Sequence, residues 1–345
     1  MTIGTRIIMK DRKPLHTLLP LEAPLVLFID PMDACSLACS FCPTSDNSLM
    51  KGAGRPLRQM DFELYKKVID DLQEFETKVK VLRLYAHGEP LLNKNFCEMV
   101  EYAKKSGKVE SVDTTTNGLA LNPELNLKLA KSGIDRINIS VNGLNEEEYM
   151  ALTKRKVNFE KFVSNIKNLY ENKGNTYLFI KINGDTISKE NEKKFLEIFE
   201  PIADSVGIER SFNCWNEFDA KGFNDPNGYN PSEDSVGIYG QKNKEVITCP
   251  YVFYSMCINS SGSVSQCFLD WSLKLIIGDI RKESVREVWT NEKMSNVRKM
   301  MLEGKRKSHP ICKGCNQLIG GQPENLDPHK EKLMKTYVPE NKETP

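Results

Sequence analysis

The sequence predicts an α/β fold, namely a partial (β/α)6 barrel followed by a small α+β module that is rich in cysteine. Two observations in its 345 residues support this prediction. Between residues 24 and 211, short apolar runs alternate about six times with segments of helical periodicity, as in a parallel sheet with helical crossovers. The ten cysteines cluster, with three between residues 35 and 42 and five between residues 249 and 315. This distribution predicts two separate cysteine sites.

The elements of the predicted barrel follow from local pattern. The helical segments carry apolar residues at helical spacing, and the first of them has Asp61 as a capping residue. Six strand–helix units fall short of the eight of a closed barrel, so the predicted barrel is open. The predicted strands cover 25–29, 79–85, 109–114, 137–141, 177–182 and 205–208. The predicted helices cover 61–75, 95–106, 123–132, 145–152, 159–172 and 189–202.

Changes in composition divide the chain into five predicted units. The cysteine-rich module contains a hairpin-like stretch between 253 and 268 and a helix over 285–304. The C-terminal tail is polar and contains proline, so we expect it to be mobile. The units are an N-terminal arm (1–23), the barrel (24–211), an irregular linker (212–246), the cysteine-rich module (247–321) and the polar tail (322–345).

Composition and charge narrow the classes of function. Lys and Arg number 48 against 47 Asp and Glu, a net charge of +1, which argues against a nucleic-acid partner held by bulk electrostatics. No apolar run approaches the ~18 residues of a membrane span, and the basic N-terminus lacks the apolar segment of a secretion signal. We therefore expect a cytoplasmic protein with no membrane partner. In that compartment, ten cysteines indicate metal or redox chemistry rather than disulfides.

The first cysteine group has the spacing C-x3-C-x2-C, at Cys35, Cys39 and Cys42. Zinc sites more often use paired C-x2-C knuckles. Here one short loop supplies three thiolates, with no fourth Cys or His nearby. Three thiolates can bind three irons of a [4Fe–4S] cluster and leave the fourth iron open to a small chelating ligand. The alternative is a zinc site that a distant residue completes.

This spacing, with the aromatic Phe41 before the last cysteine, resembles that of the radical S-adenosylmethionine (SAM) superfamily. The resemblance covers about residues 24–210 and implies a partial (β/α)6 barrel with the cluster loop after the first strand. It also implies the cofactors SAM and a SAM-binding [4Fe–4S] cluster. In this family, one electron splits SAM and yields a 5′-deoxyadenosyl radical, which removes hydrogen from an unactivated C–H bond. A flavodoxin- or ferredoxin-type protein is the electron donor that we expect.

The resemblance also assigns a glycine motif after the second strand, because such barrels keep their chemistry at strand ends. Gly88-Glu89-Pro90 resembles the family's motif that holds the SAM amino group. The usual motif begins with two glycines, and here His87 replaces the first of them. Backbone carbonyls can still serve in that place, so the departure is small.

Three further positions match the family in order. Asn117, in an Asn-Gly pair, follows the third strand, and Ser140 ends the fourth strand at a position that contacts the ribose or methionine part of SAM. Arg155 lies where many relatives place an arginine for the SAM carboxylate, which a guanidinium can bind with two hydrogen bonds. Taken singly, Ser140 also fits a buried hydroxyl and Gly88 a simple turn. Their order behind the cysteine motif favours a SAM pocket.

The second cysteine group is Cys249, Cys267, Cys312 and Cys315. Its last two members form a C-x2-C pair, a common metal-ligand spacing. The order cysteine, hairpin, cysteine, helix and C-x2-C resembles the SPASM/Twitch domains that carry auxiliary clusters in radical SAM enzymes. No cysteine follows Cys315, so the ligand supply allows one auxiliary [4Fe–4S] cluster. The alternative is a zinc-ribbon-like site that only stabilises the C-terminus.

The remaining cysteines leave alternatives open. Cys97 lies in a predicted helix and fits core packing. Cys257, in the hairpin, and Cys214, just after the last barrel strand, are candidate catalytic thiols that donate hydrogen to a substrate radical, or they are packing residues. The lysine-rich runs at 104–105, 154–156 and 305–307 are expected to be solvated surfaces, since acidic residues offset them.

Two classes of function agree with these features. The first is a radical SAM enzyme that dehydrogenates or epimerises a carbohydrate, an aminocyclitol or a related small molecule, because the sequence around Cys267 resembles enzymes that act on such substrates. Within this class, a maturase of a ribosomally made peptide is the alternative. Only about 24 residues precede the first strand, which weakens the maturase hypothesis, since such enzymes usually carry an N-terminal peptide-binding domain. The second class is a non-catalytic iron–sulfur protein for electron transfer.

Overall fold

A computed structural model describes residues 12–184, 187–209, 214–218, 242–321 and 324–337. Parts of the predicted arm, linker and tail lie outside these residues. The strands of the described chain are β1 (Val26–Ile29), β2 (Val79–Leu84), β3 (Val109–Thr116), β4 (Arg136–Val141), β5 (Tyr177–Asn183), β6 (Ser205–Glu209), β7 (Ser255–Ile258), β8 (Ser263–Ser265) and β9 (Ile276–Asp279).

The described strands form one sheet with the order β6-β5-β4-β3-β2-β1-β7-β8-β9. From β1 to β6, each strand pairs in parallel with the next strand in sequence. This arrangement confirms the α/β class and the parallel barrel strands predicted from the alternation of elements. The carboxyl ends of these strands meet at one edge, where loops of such sheets carry functional residues.

Helices connect the strands and cover the outer face of the sheet. Most barrel helices begin at an Asp, Asn or Ser whose side chain accepts a backbone N–H of the first turn, as Asp61 and Asn158 do. The α-helices of the described chain are α1 (Asn47–Gly52), α2 (Phe62–Asp71), α3 (Phe96–Lys105), α4 (Pro123–Ser132), α5 (Glu146–Thr153), α6 (Phe159–Asn172), α7 (Lys189–Phe199), α8 (Tyr251–Tyr254), α9 (Val285–Thr290), α10 (Glu292–Leu302), α11 (Gln317–Gly320) and α12 (Lys330–Tyr337). None of these is long and apolar enough to cross a membrane.

The two faces of the barrel sheet differ in polarity. Side chains alternate between the faces of a strand, and the outward-facing ones, such as Leu27, Leu82 and Ile137, are fully buried in the main core under the helices. The inward-facing positions in register with each other include Phe28, Arg83, Asp113, Arg136 and Tyr177. The barrel interior is therefore polar and partly charged.

The cysteine-rich module continues the barrel sheet. β7 pairs in parallel with β1, and β7, β8 and β9 are antiparallel neighbours. An unpaired edge at β1 would leave backbone groups without partners, and β7 satisfies them. The hairpin predicted from the sequence is present as β7 and β8, whereas the predicted helix over 285–304 is divided at Asn291, which caps α10.

The described part of the tail differs from the prediction that the tail is mobile. Leu326 and Leu333 of the predicted tail are buried, and they pack in one cluster with Leu15 of the arm and Phe253 of α8. A tail that buries apolar side chains against α10 is part of the fold within residues 324–337. The polar composition of the tail concealed this, because few apolar residues carry the packing, namely Leu326, Leu333, Met334 and Tyr337.

Candidate functional site

The loop after β1 carries the first cysteine group. Cys35, Cys39 and Cys42 are half-buried free thiols, and the backbone N–H of Cys42 donates to the Cys39 carbonyl at 3.0 Å. The N–H of Leu37 lies 3.5 Å from the Cys35 sulfur, and the Thr44 hydroxyl lies 3.0 Å from the Cys42 sulfur. Hydrogen bonds to sulfur of this kind accompany thiolate ligands of iron–sulfur clusters, so these cysteines fit such a cluster.

Burial raises the pKa of all three thiols of this group. Loss of hydration raises the pKa of Cys35 to about 12 and also raises the pKa of Cys39 and Cys42. A negative charge on Cys42 raises the pKa of Cys35 and Cys39 further. The thiols therefore favour the protonated form, and a bound metal displaces the protons when it coordinates the sulfurs.

The cysteine loop is anchored on the C-terminus of α5. The N–H of Ala38 donates to the Thr153 carbonyl at 2.9 Å, and the N–H of Ser40 donates to the Leu152 carbonyl at 3.2 Å. Carbonyls in the last turn of a helix have no partner within the helix. The loop satisfies two of them and takes a defined position as a result.

The glycine motif packs directly against the cysteine loop. A β-carbon built on Gly88 would lie 1.8 Å from the carbonyl oxygen of Met32, whereas real β-carbons essentially never come within 3.0 Å. Glycine is therefore required here. The next residue, Glu89, donates its N–H to the Ala34 carbonyl at 2.9 Å. These contacts join the end of β2 to the segment that leads into Cys35.

The Glu89 carboxylate connects the motif to the end of β3. It accepts the Thr116 hydroxyl at 2.5 Å and the Asn117 N–H at 2.8 Å. The Asn117 amide group in turn donates to the Ser36 hydroxyl at 3.1 Å and lies 3.7 Å from the Cys35 sulfur. The structure thus brings Glu89 and Asn117 together with the cysteine loop, as a SAM pocket beside a cluster requires.

Pro90 and Ser140 also lie at this edge of the sheet. Pro90 is buried at the first position of a short 3₁₀ turn (Pro90–Leu92). Ser140 follows Ile139, whose partner in β3 is Thr116, so Ser140 is placed beside Asn117. A hydroxyl there is available to a ligand bound between the strand ends.

Arg155 is placed differently from the other predicted SAM contacts. It lies two residues beyond α5 and is exposed, as are Lys154 and Lys156. Among the hydrogen bonds and ion pairs of the described residues, none joins Arg155 to Glu89 or Ser140. The assignment of Arg155 to the SAM carboxylate therefore stays a prediction, and the run 154–156 is exposed.

The second cysteine group converges in the C-terminal module. Loss of hydration raises the pKa of Cys249 and Cys312 to about 12 and raises the pKa of Cys267 well above its usual value. A negative charge on Cys315 raises each of these three pKa values further. Cys315 is therefore near enough to the other three thiols to affect their charge, and we expect the four to form one ligand set.

Backbone amides point at these sulfurs. Cys249 and Cys315 precede the short helices α8 and α11, and each sulfur accepts hydrogen bonds from the first two amides of its helix. The N–H of Leu269 lies 3.4 Å from the Cys267 sulfur. Such amides stabilise a negative charge on sulfur, so the donor set fits thiolates bound to an iron–sulfur cluster.

Arg306 organises the loop that holds the C-x2-C pair. Its guanidinium donates to the carbonyls of Cys312 at 2.7 Å and Ile247 at 3.0 Å. Arg306 is buried, so the expectation that the run 305–307 is wholly solvated was wrong. The charge of Arg306 also lowers the pKa of Cys312 and Cys315, against the larger effect of burial. A sequence pattern offers no sign of this, since the receiving carbonyls come from distant segments.

A single-ion site does not form at either place. In the described ranges, no group of three or more Cys, His, Asp or Glu side chains is arranged to hold one metal ion. The thiol donors with their amide partners fit iron–sulfur clusters instead.

The loop after Cys267 reaches the barrel interior. Phe268 stacks on the inward-facing Phe28, with 4.6 Å between ring centroids. Trp271 donates its indole N–H to the Asn216 carbonyl at 2.8 Å, which ties the segment after β6 to the same loop. The loop that follows Cys267 therefore lies beside the barrel interior.

The two candidate catalytic thiols differ in accessibility. Cys257 on β7 is the register partner of Phe28 and is fully buried, with 0% of its surface exposed. Cys214 lies in the segment 214–218 and is half-buried. A substrate in the barrel can reach a half-buried thiol more easily than an enclosed one. Cys97 is buried in α3, as expected for core packing.

A parallel partial barrel with a three-cysteine loop after its first strand, followed by a four-cysteine module, defines a class of iron–sulfur enzymes. Residues 29–202 match the family described as the radical SAM superfamily, and residues 249–316 match SPASM, an iron–sulfur cluster-binding domain. The chain belongs to the radical SAM superfamily and carries a C-terminal SPASM domain. Its cofactors are accordingly SAM and [4Fe–4S] clusters.

Curated relatives match part of the chain. GTP 3′,8-cyclase of Chlorobaculum tepidum is 32% identical over 122 residues, 35% of this chain and 34% of the relative. S-adenosyl-L-methionine-dependent 2-deoxy-scyllo-inosamine dehydrogenase of Niallia circulans is 30% identical over 87 residues, 25% of this chain and 35% of the relative. In both cases the match spans about a third of the relative's length.

A solved structure matches over most of its length. The crystal structure of BtrN in complex with AdoMet and 2-DOIA superposes with a TM-score of 0.54 at 18% identity, covering 88% of this chain and 96% of that chain. At this identity, the likeness establishes a shared fold and not a shared substrate.

We predict that SAM binding by the iron-loaded protein strengthens as pH rises toward neutrality. Burial raises the pKa of Glu89 to about 7, against hydrogen bonds from Asn117, Thr116 and Leu91 that lower it. Below that pH, Glu89 is neutral and must lose a proton to accept hydrogen bonds from the SAM amino group as a carboxylate. Affinity should therefore rise up to about tenfold per pH unit below the pKa and level off above it.

Equilibrium dialysis with labelled SAM between about pH 6 and pH 8 measures this dependence. Glu89→Gln should weaken binding and flatten the pH profile. Glu98→Gln, which changes an exposed acid on α3, serves as the control and should leave the profile unchanged. An unaltered pH profile in Glu89→Gln would contradict the assignment of Glu89 to the SAM pocket.

Proposed function

We propose that the protein is a radical SAM oxidoreductase or epimerase that acts on a small hydroxylated molecule of the carbohydrate or aminocyclitol class. The observation that carries this proposal is the polar interior of the barrel. Arg83, Asp113 and Arg136 stand in register on its inner face. Hydroxyl and amino groups of a substrate find hydrogen-bond donors and acceptors there.

The interior polar groups are organised by mutual contacts. Arg83 donates to the Tyr85 hydroxyl at 3.1 Å and lies 3.6 Å from an Asp113 oxygen. Arg136 donates to Asn138 at 2.9 Å, and burial lowers the pKa of Arg136. A pre-arranged set of this kind suits a polar ligand better than an apolar one.

An ion pair near the carboxyl end of the barrel provides a proton acceptor. Lys181 and Glu209 are 2.9 Å apart and only partly exposed, and Lys181 is the register partner of Ser140. We assign the Glu209 carboxylate the role of accepting the proton that a substrate hydroxyl loses on dehydrogenation. Lys181 then holds that carboxylate in place.

Bound SAM and its cluster supply the hydrogen-abstracting radical, and the auxiliary cluster supplies an acceptor for one electron. The protein binds and orients these groups through Glu89, Asn117 and the seven cysteines, and it excludes water around the substrate. A flavodoxin- or ferredoxin-type protein is the proposed electron donor. Because Cys257 is enclosed, it is a poor hydrogen donor to a substrate radical, and dehydrogenation is favoured over an epimerisation that uses Cys257. If the reaction is an epimerisation, Cys214 is the better candidate for the hydrogen donor.

The comparisons support this proposal without deciding the substrate. One relative is named as a dehydrogenase of 2-deoxy-scyllo-inosamine, and the BtrN structure with 2-DOIA shares the fold over nearly its full length. Another relative is named as a GTP cyclase, which makes a nucleotide a second substrate class to examine. A ribosomally made peptide is the third.

The reconstituted protein should be incubated anaerobically with SAM, a reductant and one of three probes, namely 2-deoxy-scyllo-inosamine, GTP or a short peptide, in deuterated buffer. We expect 5′-deoxyadenosine with a product of the aminocyclitol that is two hydrogens lighter. A product that carries deuterium on carbon and has not lost two hydrogens indicates epimerisation. If Cys214→Ala loses this label and Cys257→Ala keeps it, Cys214 is the hydrogen donor. Turnover of GTP or peptide alone would overturn the proposed substrate class. Absence of 5′-deoxyadenosine with every probe and without substrate would favour the non-catalytic alternative.

A further inference from the structure

Arg55 is a fully buried charged residue to which the sequence assigned no role. It lies between α1 and α2 in the segment after the first cysteine group, and its side chain is 0% exposed. Arginine is rarely buried unless its charge is paired and its donors are satisfied. The partners of Arg55 therefore indicate what its burial achieves.

The guanidinium of Arg55 donates to three separate segments. Its Nη1 donates to the Asp33 carboxylate at 3.1 Å and lies 3.5 Å from the Asp30 carboxylate. Its Nη2 donates to the Asp270 carbonyl at 2.8 Å, and its Nε donates to the Trp271 carbonyl at 2.7 Å. A further Nη2 bond, at 3.1 Å, goes to the Asn259 side chain at the end of β7. The three guanidinium nitrogens thus bind groups from the barrel and from the SPASM domain.

The partners belong to the two cysteine loops. Asp30 and Asp33 lie in the segment between β1 and Cys35, whereas Asp270 and Trp271 lie in the loop that begins at Cys267. The Arg55 side chain therefore holds the segment that precedes Cys35 next to the segment that follows Cys267.

The same cluster reaches the SAM motif. The Asp30 carboxylate accepts the backbone N–H groups of His87 and Gly88, and the His87 ring is completely buried 3.5 Å from Asp30. Asp30 thus links Arg55 to the backbone that precedes Glu89.

A planar guanidinium is suited to this junction, because its donors point in fixed directions. Lysine carries the same charge on a single nitrogen and cannot reach the carboxylates and the two carbonyls at once. Loss of Arg55 would also leave two buried carboxylates without a cation, which is unfavourable in a nonpolar environment.

We propose that Arg55 is a positioning residue that sets the spacing and orientation of the two cysteine loops relative to each other. This inference rests on the proposed function only in taking both loops as cluster sites. Electron transfer from a substrate to the auxiliary site requires a defined geometry, and a shift of about 1 Å at a reacting centre can reduce a rate a hundredfold.

The test compares Arg55→Lys with Arg298→Lys in the iron-loaded full chain. Arg298 is a matched control, since it is also a buried arginine and donates to the Val252 and Trp289 carbonyls. These acceptors lie outside the two junction segments, 30–35 and 267–273. Hydrogen exchange should increase in both 30–35 and 267–273 in Arg55→Lys, whereas 136–141 in the barrel should not change. Arg298→Lys should leave exchange in the two junction segments unaltered.

Spectroscopy and kinetics provide a second readout. Iron content should stay the same in Arg55→Lys, while the electron-paramagnetic-resonance signal that reports interaction between the reduced clusters changes. Substrate turnover should fall about tenfold or more, with SAM cleavage reduced much less. Asp33→Asn removes one negative charge and keeps the guanidinium. It should lower substrate turnover less than Arg55→Lys does.

Unchanged exchange in 30–35 and 267–273, or equal effects of Arg55→Lys and Arg298→Lys, would overturn the positioning role. The exchange readout does not require a known substrate. Failure of the proposed function, seen as no product from any probe, is therefore distinguishable from failure of this inference.

Discussion

Replacement of Cys35, Cys39 and Cys42 together by alanine is expected to abolish SAM cleavage and to remove about four irons per chain. The three thiols lie in one loop, Cys35 and Cys42 each have a hydrogen-bond partner, and a negative charge on Cys42 raises the pKa of Cys35 and Cys39. Without them, the open iron that binds SAM has no support. Iron and sulfide analysis, with chromatographic detection of 5′-deoxyadenosine, measures both effects.

The matched control for this triple variant is Cys97→Ala. Cys97 is a buried thiol of α3, and its replacement should leave iron content and SAM cleavage close to those of the unmodified protein. The triple variant should also retain the irons of the SPASM domain, which shows that the protein still folds. Formation of 5′-deoxyadenosine by the triple variant would refute the assignment of this loop.

The second large effect is expected from Cys312→Ala combined with Cys315→Ala. These two thiols are half of the second ligand set, and their removal should again lower the iron content by about four atoms per chain. The barrel and its SAM pocket remain intact, so SAM cleavage should continue. Substrate oxidation should fall to background, because the electron from the substrate radical then lacks its acceptor.

The double variant separates two roles of the SPASM domain. It leaves Cys267 and Asp270 in place, so the contacts of Arg55 with this domain are retained. If substrate oxidation continues at the normal rate while the irons are lost, the auxiliary site has a structural role alone. Loss of SAM cleavage in this variant would contradict the division of labour between the two sites.

Local sequence signals were sufficient for much of this fold. Strand–helix alternation predicted the parallel barrel, because each element satisfies its own backbone or pairs with a neighbour in a fixed manner. The spacing of Cys35, Cys39 and Cys42 predicted a metal-binding loop, because the three ligands lie within eight residues of each other. Such information is contained in a short stretch of chain.

Burial of charged and terminal residues was not predictable in this way. A sequence pattern places arginine at the surface by default, yet Arg55 and Arg306 are buried because carbonyls and carboxylates from distant segments surround them. Leu326 and Leu333 became core residues only through contact with Leu15.

The sequence by itself therefore determined the α/β class, the two cysteine groups and the family to which the chain belongs, because these depend on local spacing. The tertiary structure alone decided that β7 continues the barrel sheet beyond β1 and that Phe268 stacks on Phe28. It also decided that Arg55 joins the two cysteine loops. These contacts connect residues more than 200 positions apart, and no local pattern records such a distance, because the free energy of each contact depends on groups that only the complete fold brings together.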